Sequence, residues 1–331
     1  MCSMKQLTES TGMPPRVKQS QMNSIDLTSY LSQYIFTPFA FVKHFNWLYP
    51  VIELIMRFGQ YKFGKRIASG TFGVIYAGCD TNTGTPVAIK MASSKTTASK
   101  QLQNEYKVYK SLHLAPEIYD IKTLPSGQMV MVMELLGASL DKQIKEGKRF
   151  TVSQIGFIAR NTIQEVKQLH EAGFIHRDIK PQNILWKQGN KRLHLIDYGL
   201  SMRWKIQKTD EPYEMEFDFP VNGTMRYMST YMHLGVRPSR RDDMISLFYT
   251  LLCVCGVHLP WRQTNTEDNK SQKRSDVIMR YKMGTPIEAL CEEISRIQVR
   301  KAIYQFAKIV FSLRYHQEPP YDELYRLFVG F

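Results

Sequence analysis

The stretch His176-Arg177-Asp178-Ile179-Lys180-Pro181-Gln182-Asn183 constrains this chain more than any other, because it packs a carboxylate, an ammonium and a carboxamide into eight residues. It comes after an apolar run from Ile155 to Leu169 with helical period. In phosphoryl transfer an Asp accepts the proton of the attacking hydroxyl. An Asn five residues further on ligates the Mg²⁺ that neutralises charge building on the γ-phosphate. Asp178 and Asn183 stand at that spacing. The tripeptide His-Arg-Asp alone arises by chance in many chains, whereas the longer pattern behind an apolar helix is far harder to reach by accident.

Further groups stand around it in chain order. Phe63 to Tyr76 reads as two short β runs around the turn Ile67-Ala68-Ser69-Gly70-Thr71-Phe72-Gly73-Val74-Ile75. The missing side chains of Gly70 and Gly73 let backbone N–H groups close over phosphates. Ala68 stands where a first glycine is usual, and a plain hairpin would account for the two glycines equally well. Val87-Ala88-Ile89-Lys90 follows as a β run whose lysine is suited to gripping the α- and β-phosphates. The spacing of Leu102, Tyr106, Tyr109 and Leu112 predicts an amphipathic helix over 99–112 carrying Glu105, the natural partner of Lys90. Further on, Ile155, Ile158, Ala159, Ile163, Val166 and Leu169 mark one face of a longer helix. After the loop comes Leu193-His194-Leu195-Ile196-Asp197-Tyr198-Gly199, with Asp197 placed to bind a bridging Mg²⁺.

The order Lys90, Glu105, Asp178, Asn183, Asp197 resembles that of protein kinases, with Tyr198 in place of the usual Phe. Lys180, two residues after the Asp, resembles the serine/threonine class. Met129 to Gly137 resembles the last strand and hinge whose backbone holds adenine, which makes Glu134 and Leu136 nucleotide-binding positions and Met133 the gatekeeper. Asn222 to Ser229 stands where most kinases carry Ala-Pro-Glu, followed by His233-Leu234-Gly235 and Ser239-Arg240-Arg241-Asp242-Asp243. With Leu259-Pro260-Trp261 and Thr285-Pro286-Ile287-Glu288-Ala289-Leu290-Cys291, these blocks resemble the casein kinase I family over about residues 59–331.

The resemblance implies an α+β, two-lobed kinase fold: a small antiparallel β-rich N-lobe with one helix (59–136) and a larger, mainly α-helical C-lobe (137–331). It implies a non-specific serine/threonine kinase that uses ATP and Mg²⁺ on acidic or phospho-primed protein substrates. Asp178, Lys180 and Asn183 would be catalytic, Asn183 and Asp197 metal ligands, and Arg226 and Arg274 readers of the substrate phosphate. Phe219 falls near a position that is basic in close relatives, and two extra residues precede Met283. Arg177 before the Asp normally marks kinases that need an activating phosphate. Here Asp210, Glu211, Glu214, Glu216 and Asp218, or a substrate phosphate, are expected to offset a basic pocket of Arg177, Arg203 and Arg226. Activity without an upstream kinase is the corollary.

Composition bounds the rest. With 43% hydrophobic and 22% charged residues in 331, the chain can bury a sizeable core. A net charge of +14 favours anionic partners. No basic stretch interleaved with aromatics calls for a specific nucleic acid. Five scattered cysteines suggest neither a disulfide framework nor zinc, and a reducing compartment, cytoplasm or nucleus, is the expectation. Residues 1–58 read as an extension, polar and disordered to about 24, then apolar from Tyr30. Pro38, Lys43, His44, Pro50, Glu53 and Arg57 interrupt that apolar part, so it is no transmembrane helix. Pro50 to Phe58, stopped by Gly59, predicts a short amphipathic helix packed on the domain, and a monomer away from membranes is expected. The competing function is a catalytically impaired scaffold for acidic partners, suggested by Ala68 and Tyr198. Retention of Lys90, Asp178, Asn183 and Asp197 weighs against it.

Overall fold

The computed structural model describes residues 57–70, 73–93, 96–113, 115–124, 127–187, 189, 192–263 and 271–331. The chain divides into two units between Lys62 and Phe63. In the first, β1 (Arg57–Phe58) pairs antiparallel with the opening of β2 (Tyr61–Gly70), Phe58 opposite Tyr61. The helix expected over Pro50 to Phe58 therefore does not reach its last two residues. Gly59 takes φ +57° in a tight hairpin turn instead of stopping a helix, a conformation that glycine adopts without steric cost. The rest of that segment, and the disordered tract expected before it, lie outside the described residues.

The second unit opens with an antiparallel sheet in the order β2-β3-β4-β6-β5, made with β3 (Gly73–Asp80), β4 (Pro86–Ala92), β5 (Ile118–Thr123) and β6 (Met129–Glu134). Val87 to Ile89 and Val130 to Met133 are buried without alternation, as strands covered on both faces must be. Lys90 lies opposite Ile75 on one side and Met131 on the other. Helix α1 (Thr96–Lys110) packs against β4 and β6. Ala98, Leu102, Glu105 and Tyr109 recur at helical spacing along its buried stripe, so Glu105 points inward with the apolar residues.

After α2 (Leu140–Lys145) the chain is mainly helical. The 20-residue α3 (Val152–Glu171) starts at a reciprocal capping box between Thr151 and Gln154. Short pairs β7 (Phe174–Ile175) with β10 (Met202–Arg203), and β8 (Ile184–Trp186) with β9 (Leu193–Leu195), frame the loops between them. Then come α4 (Thr230–His233), α5 (Arg240–Val254), α6 (Ser271–Gly284), α7 (Ile287–Glu292), α8 (Ile297–Ser312) and α9 (Tyr321–Arg326). In α5 every residue from Arg240 to Leu252 is buried, so this helix is the axis of the helical lobe, with α3 and α8 packed on it. A sheet with one helix leading into a helical lobe is the α+β, two-lobed arrangement expected. Among the described residues no helix is long and apolar enough to cross a membrane.

Candidate active site

Three chain segments bring opposite charges to one point. Lys90 Nζ from β4 lies 2.6 Å from Glu105 Oε2 on α1 and 2.8 Å from Asp197 Oδ1 after β9. Burial alone would lower the lysine's pKa, but Asp197 and Glu105 outweigh it and hold the ammonium well above its usual value. The same ammonium pulls Asp197 below the ordinary carboxylate range. Glu105, only 2% exposed, is pushed up by burial to about 7 against the pull of Lys90. The cluster thus keeps Lys90 charged and Asp197 ionised.

The catalytic-type loop is held from two sides. Asp178, 8% exposed, accepts the Thr224 N–H on Oδ1 (2.9 Å) and the Lys180 ammonium on Oδ2 (2.5 Å). Lys180 also donates to the Thr224 hydroxyl at 2.9 Å, so carboxylate, cation and hydroxyl form one bridge between the loop and the 222–229 segment. Gly223 makes that approach possible, since a Cβ there would sit 2.6 Å from the Arg177 carbonyl oxygen. Asn183 donates its amide N–H to the Asp178 carbonyl (3.0 Å), which commits the nitrogen and leaves the oxygen as the ligating end. A metal held here would meet two oxygen donors, Asn183 and Asp197. Among the described residues no cluster of three or more His, Cys, Asp or Glu could hold a metal alone. That sparse oxygen set suits Mg²⁺, which is bound by one or two protein groups plus substrate phosphates, and does not suit zinc.

Of the nucleotide-loop positions, Ile67, Ala68, Ser69 and Gly70 are exposed along β2, Val74 and Ile75 are half-buried in β3, and Thr71 and Phe72 lie outside the described residues. Gly73 admits no side chain, because a Cβ would fall 2.1 Å from the Met91 carbonyl oxygen. At the hinge Glu134 pairs with Lys187 at 3.1 Å, and Leu136, half-buried, precedes Gly137, whose N–H donates to the Trp186 carbonyl at 2.7 Å. Met133 is buried beside Ala88. Tyr198 fits where Phe is usual: it is fully buried, its hydroxyl donates to the Leu195 carbonyl (2.8 Å), and its ring meets Tyr109 at 4.9 Å and His176 at 5.2 Å. Arg226 is half-buried and Arg274 is exposed on α6.

The acidic cluster does not neutralise Arg177. Asp210 pairs with Lys205 (2.6 Å), Glu216 with Arg237 (2.7 Å) and Glu214 with His316 (3.7 Å). Arg177 instead donates to the Leu200 carbonyl at 3.3 Å and faces the ring of Phe219 at 5.6 Å. Arg237 lies 5.3 Å from the same ring and 4.0 Å from that of Tyr213. Arg203 stacks on Phe174 at 4.5 Å. Two of the three arginines expected in that pocket, Arg177 and Arg203, thus lie against aromatic faces, which attract cations without carrying charge.

Asp243, in the first turn of α5, closes the Ser239–Asp243 block, to which the sequence alone assigned no role. Its Oδ2 accepts the His176 N–H (2.6 Å) and lies 2.9 Å from His170 Nε2, while Oδ1 accepts the Arg177 N–H (2.8 Å). It thereby holds Arg177 at φ +70°, a conformation that non-glycine residues rarely adopt. His176 in turn accepts the Asp178 N–H on Nδ1 (3.2 Å), with Nε2 against the Ile196 carbonyl (3.0 Å). A family model described as protein kinase domain matches residues 61–320.

Proposed function

The chain belongs to the protein kinase family, and from that premise we propose that it is a serine/threonine kinase of casein kinase I type acting on acidic or phospho-primed proteins. The observation that carries the reading is the pair of charge constellations above: Lys90 with Glu105 and Asp197, and Asp178 with Lys180 and Thr224. In this reading Asp178 takes the proton of the substrate hydroxyl, and Lys180 balances the charge on that carboxylate as the proton moves. Lys90, fixed by Glu105, grips the α- and β-phosphates, the 67–75 turn covers them, and the Glu134–Leu136 hinge holds adenine. Asn183 and Asp197 would hold Mg²⁺, which when bound neutralises charge on the transferring phosphoryl oxygens. Arg226 reads an acidic or phosphorylated residue before the target, aided by Arg274, since guanidinium forks match phosphate oxygens.

Transfer of ³²P from labelled ATP to two peptides, differing only in a phosphoserine three positions before the target serine, tests this. Preference for the primed peptide, abolished in Asp178→Asn, is the expected result. Absence of transfer to either peptide, or transfer to tyrosine alone, would overturn it.

A further inference from the structure

Lys282 on α6 is 6% exposed, and burial holds the pKa of its amino group well below the usual lysine value. Nζ lies 2.7 Å from the Met225 carbonyl, 2.6 Å from the Met228 carbonyl and 3.1 Å from His233 Nε2, so the amino group meets three partners. His233 Nε2 also lies 3.2 Å from the Met225 carbonyl, and its Nδ1 lies 2.7 Å from Ser275 Oγ. The rings of Tyr249 (5.0 Å) and Trp261 (5.4 Å) close the cage. Among the described residues no carboxylate pairs with Lys282. Burying an amino group is costly, and Met would fill the volume without that cost, so packing alone does not account for a lysine here.

Its bonds supply the account. The 224–229 segment is pinned at one end by Thr224 N–H on Asp178 and at the other by Ser229 Oγ on Asp242 (2.5 Å). Between those pins, Lys282 takes the carbonyls of Met225 and Met228, and Trp261 Nε1 takes that of Arg226 at 2.8 Å. All three carbonyls are thereby held toward α6 and the Pro260–Gln263 turn.

We propose that Lys282 is a positioning residue for substrate recognition: from beneath, it fixes the 225–228 ledge so that Arg226 is held ready for an acidic or phosphorylated peptide. The proposal rests on the kinase reading above and assigns to α6 the part of that site which sets peptide affinity.

The test compares the full-length protein with Lys282→Met, and with Trp261→Phe, which removes one donor and keeps most of the ring. Readouts are kcat and KM for primed peptide, KM for ATP, the thermal midpoint and hydrogen exchange of the 224–229 amides. Loss of two carbonyl hydrogen bonds predicts a peptide KM raised about tenfold in Lys282→Met, and loss of one predicts about threefold in Trp261→Phe. The ATP KM should stay near wild type, with faster exchange confined to 224–229, while the midpoint falls by a few degrees as two carbonyls lose their donor. An unchanged peptide KM overturns the proposal, as does a joint rise of both KM values, which marks a merely structural lysine. If Lys282→Met does not fold, Trp261→Phe decides alone by the same criteria. If the wild type transfers no phosphate, the kinase reading fails separately, and the peptide dissociation constant and exchange pattern decide the role of Lys282.

Discussion

Asp243→Ala tests whether the catalytic loop is held from α5. Asp243 is 1% exposed, and it accepts the N–H groups of His176 and Arg177 and a hydrogen bond with His170. Truncation leaves two backbone N–H groups without a partner or a path to water, at roughly 1–3 kcal/mol each. Taking the middle of that range gives a loss of about 4 kcal/mol, or roughly 10 °C in midpoint for a domain of this size. Asp243→Asn keeps one carbonyl oxygen but sets an NH₂ against an N–H, and should cost about half as much. Arg177 then loses the bond that holds its positive φ, and Asp178, next in the chain, shifts with it. Misplacement of about 1 Å at reacting groups costs on the order of 10²-fold in rate. Thermal unfolding and kcat with primed peptide are the assays. Either variant with a midpoint within about 2 °C of wild type and normal kcat would refute the account. Burial alone would raise the Asp243 pKa, but the bonds from His170 and the loop amides outweigh it and leave it depressed. Its stabilisation is therefore complete above the ordinary value of 3.8 and is lost as pH falls through the lower folded-state value.

Lys90→Met and Asp178→Asn should fold normally and lose on the order of 10³-fold or more in kcat/KM, each removing a charge that positions the transition state; near-normal turnover in either would contradict the assignments. Burial, aided by Lys282, pushes His233 from 6.5 down to about 3. The unfolded chain thus binds more protons between those values, and stability that is full above pH 6.5 should fall toward pH 3 by up to about 1.4 kcal/mol per unit; urea titrations in which His233→Gln shows the same slope would exclude this source. Phosphatase treatment, Thr209→Ala and Tyr213→Phe should leave activity near wild type, because Thr209 is exposed and Phe keeps the ring over Arg237, whereas Phe219→Ala should lower kcat several-fold by uncovering Arg177. A phosphate required on the 201–222 segment would show instead as activity lost to phosphatase.

The pairing of Lys90 with Glu105 was legible because each residue belongs to a local pattern: an apolar β run ending in lysine, and a helical stripe whose buried positions include the glutamate. The helical period sets which way Glu105 points, but the β run is apolar without alternation, so order along the chain made Glu105 the partner of Lys90. Asp243 and Lys282 carry no such cue, since a charged residue in a helical stretch usually lies on a solvated face. Their roles come from groups distant in sequence, the loop amides of His176 and Arg177 and the carbonyls of Met225 and Met228. One signal was available for Asp243. The run from Met244 to Leu252 has no charged face, so a helix built from it must be buried all round, and acids in its first turn must find partners inside.

Arg177 shows why charge counting along the 201–222 segment misleads. The five acids there outnumber the three arginines they were expected to meet, but sign and sequence proximity do not determine distance. Lys205, Arg237 and His316 lie nearer to three of them and take them. A guanidinium left beside the catalytic loop then needs something that lowers its energy without adding a mobile counter-charge, and an aromatic face does so over several ångströms with little demand on geometry. Phe219 meets that need at 5.6 Å while its own N–H is fixed to the Gly235 carbonyl at 2.7 Å. A residue that looks like the loss of a basic position thus faces Arg177, while the Asp243 carboxylate supplies the opposite charge. The contact needs no phosphate, so this arrangement of the segment is available to the unmodified chain.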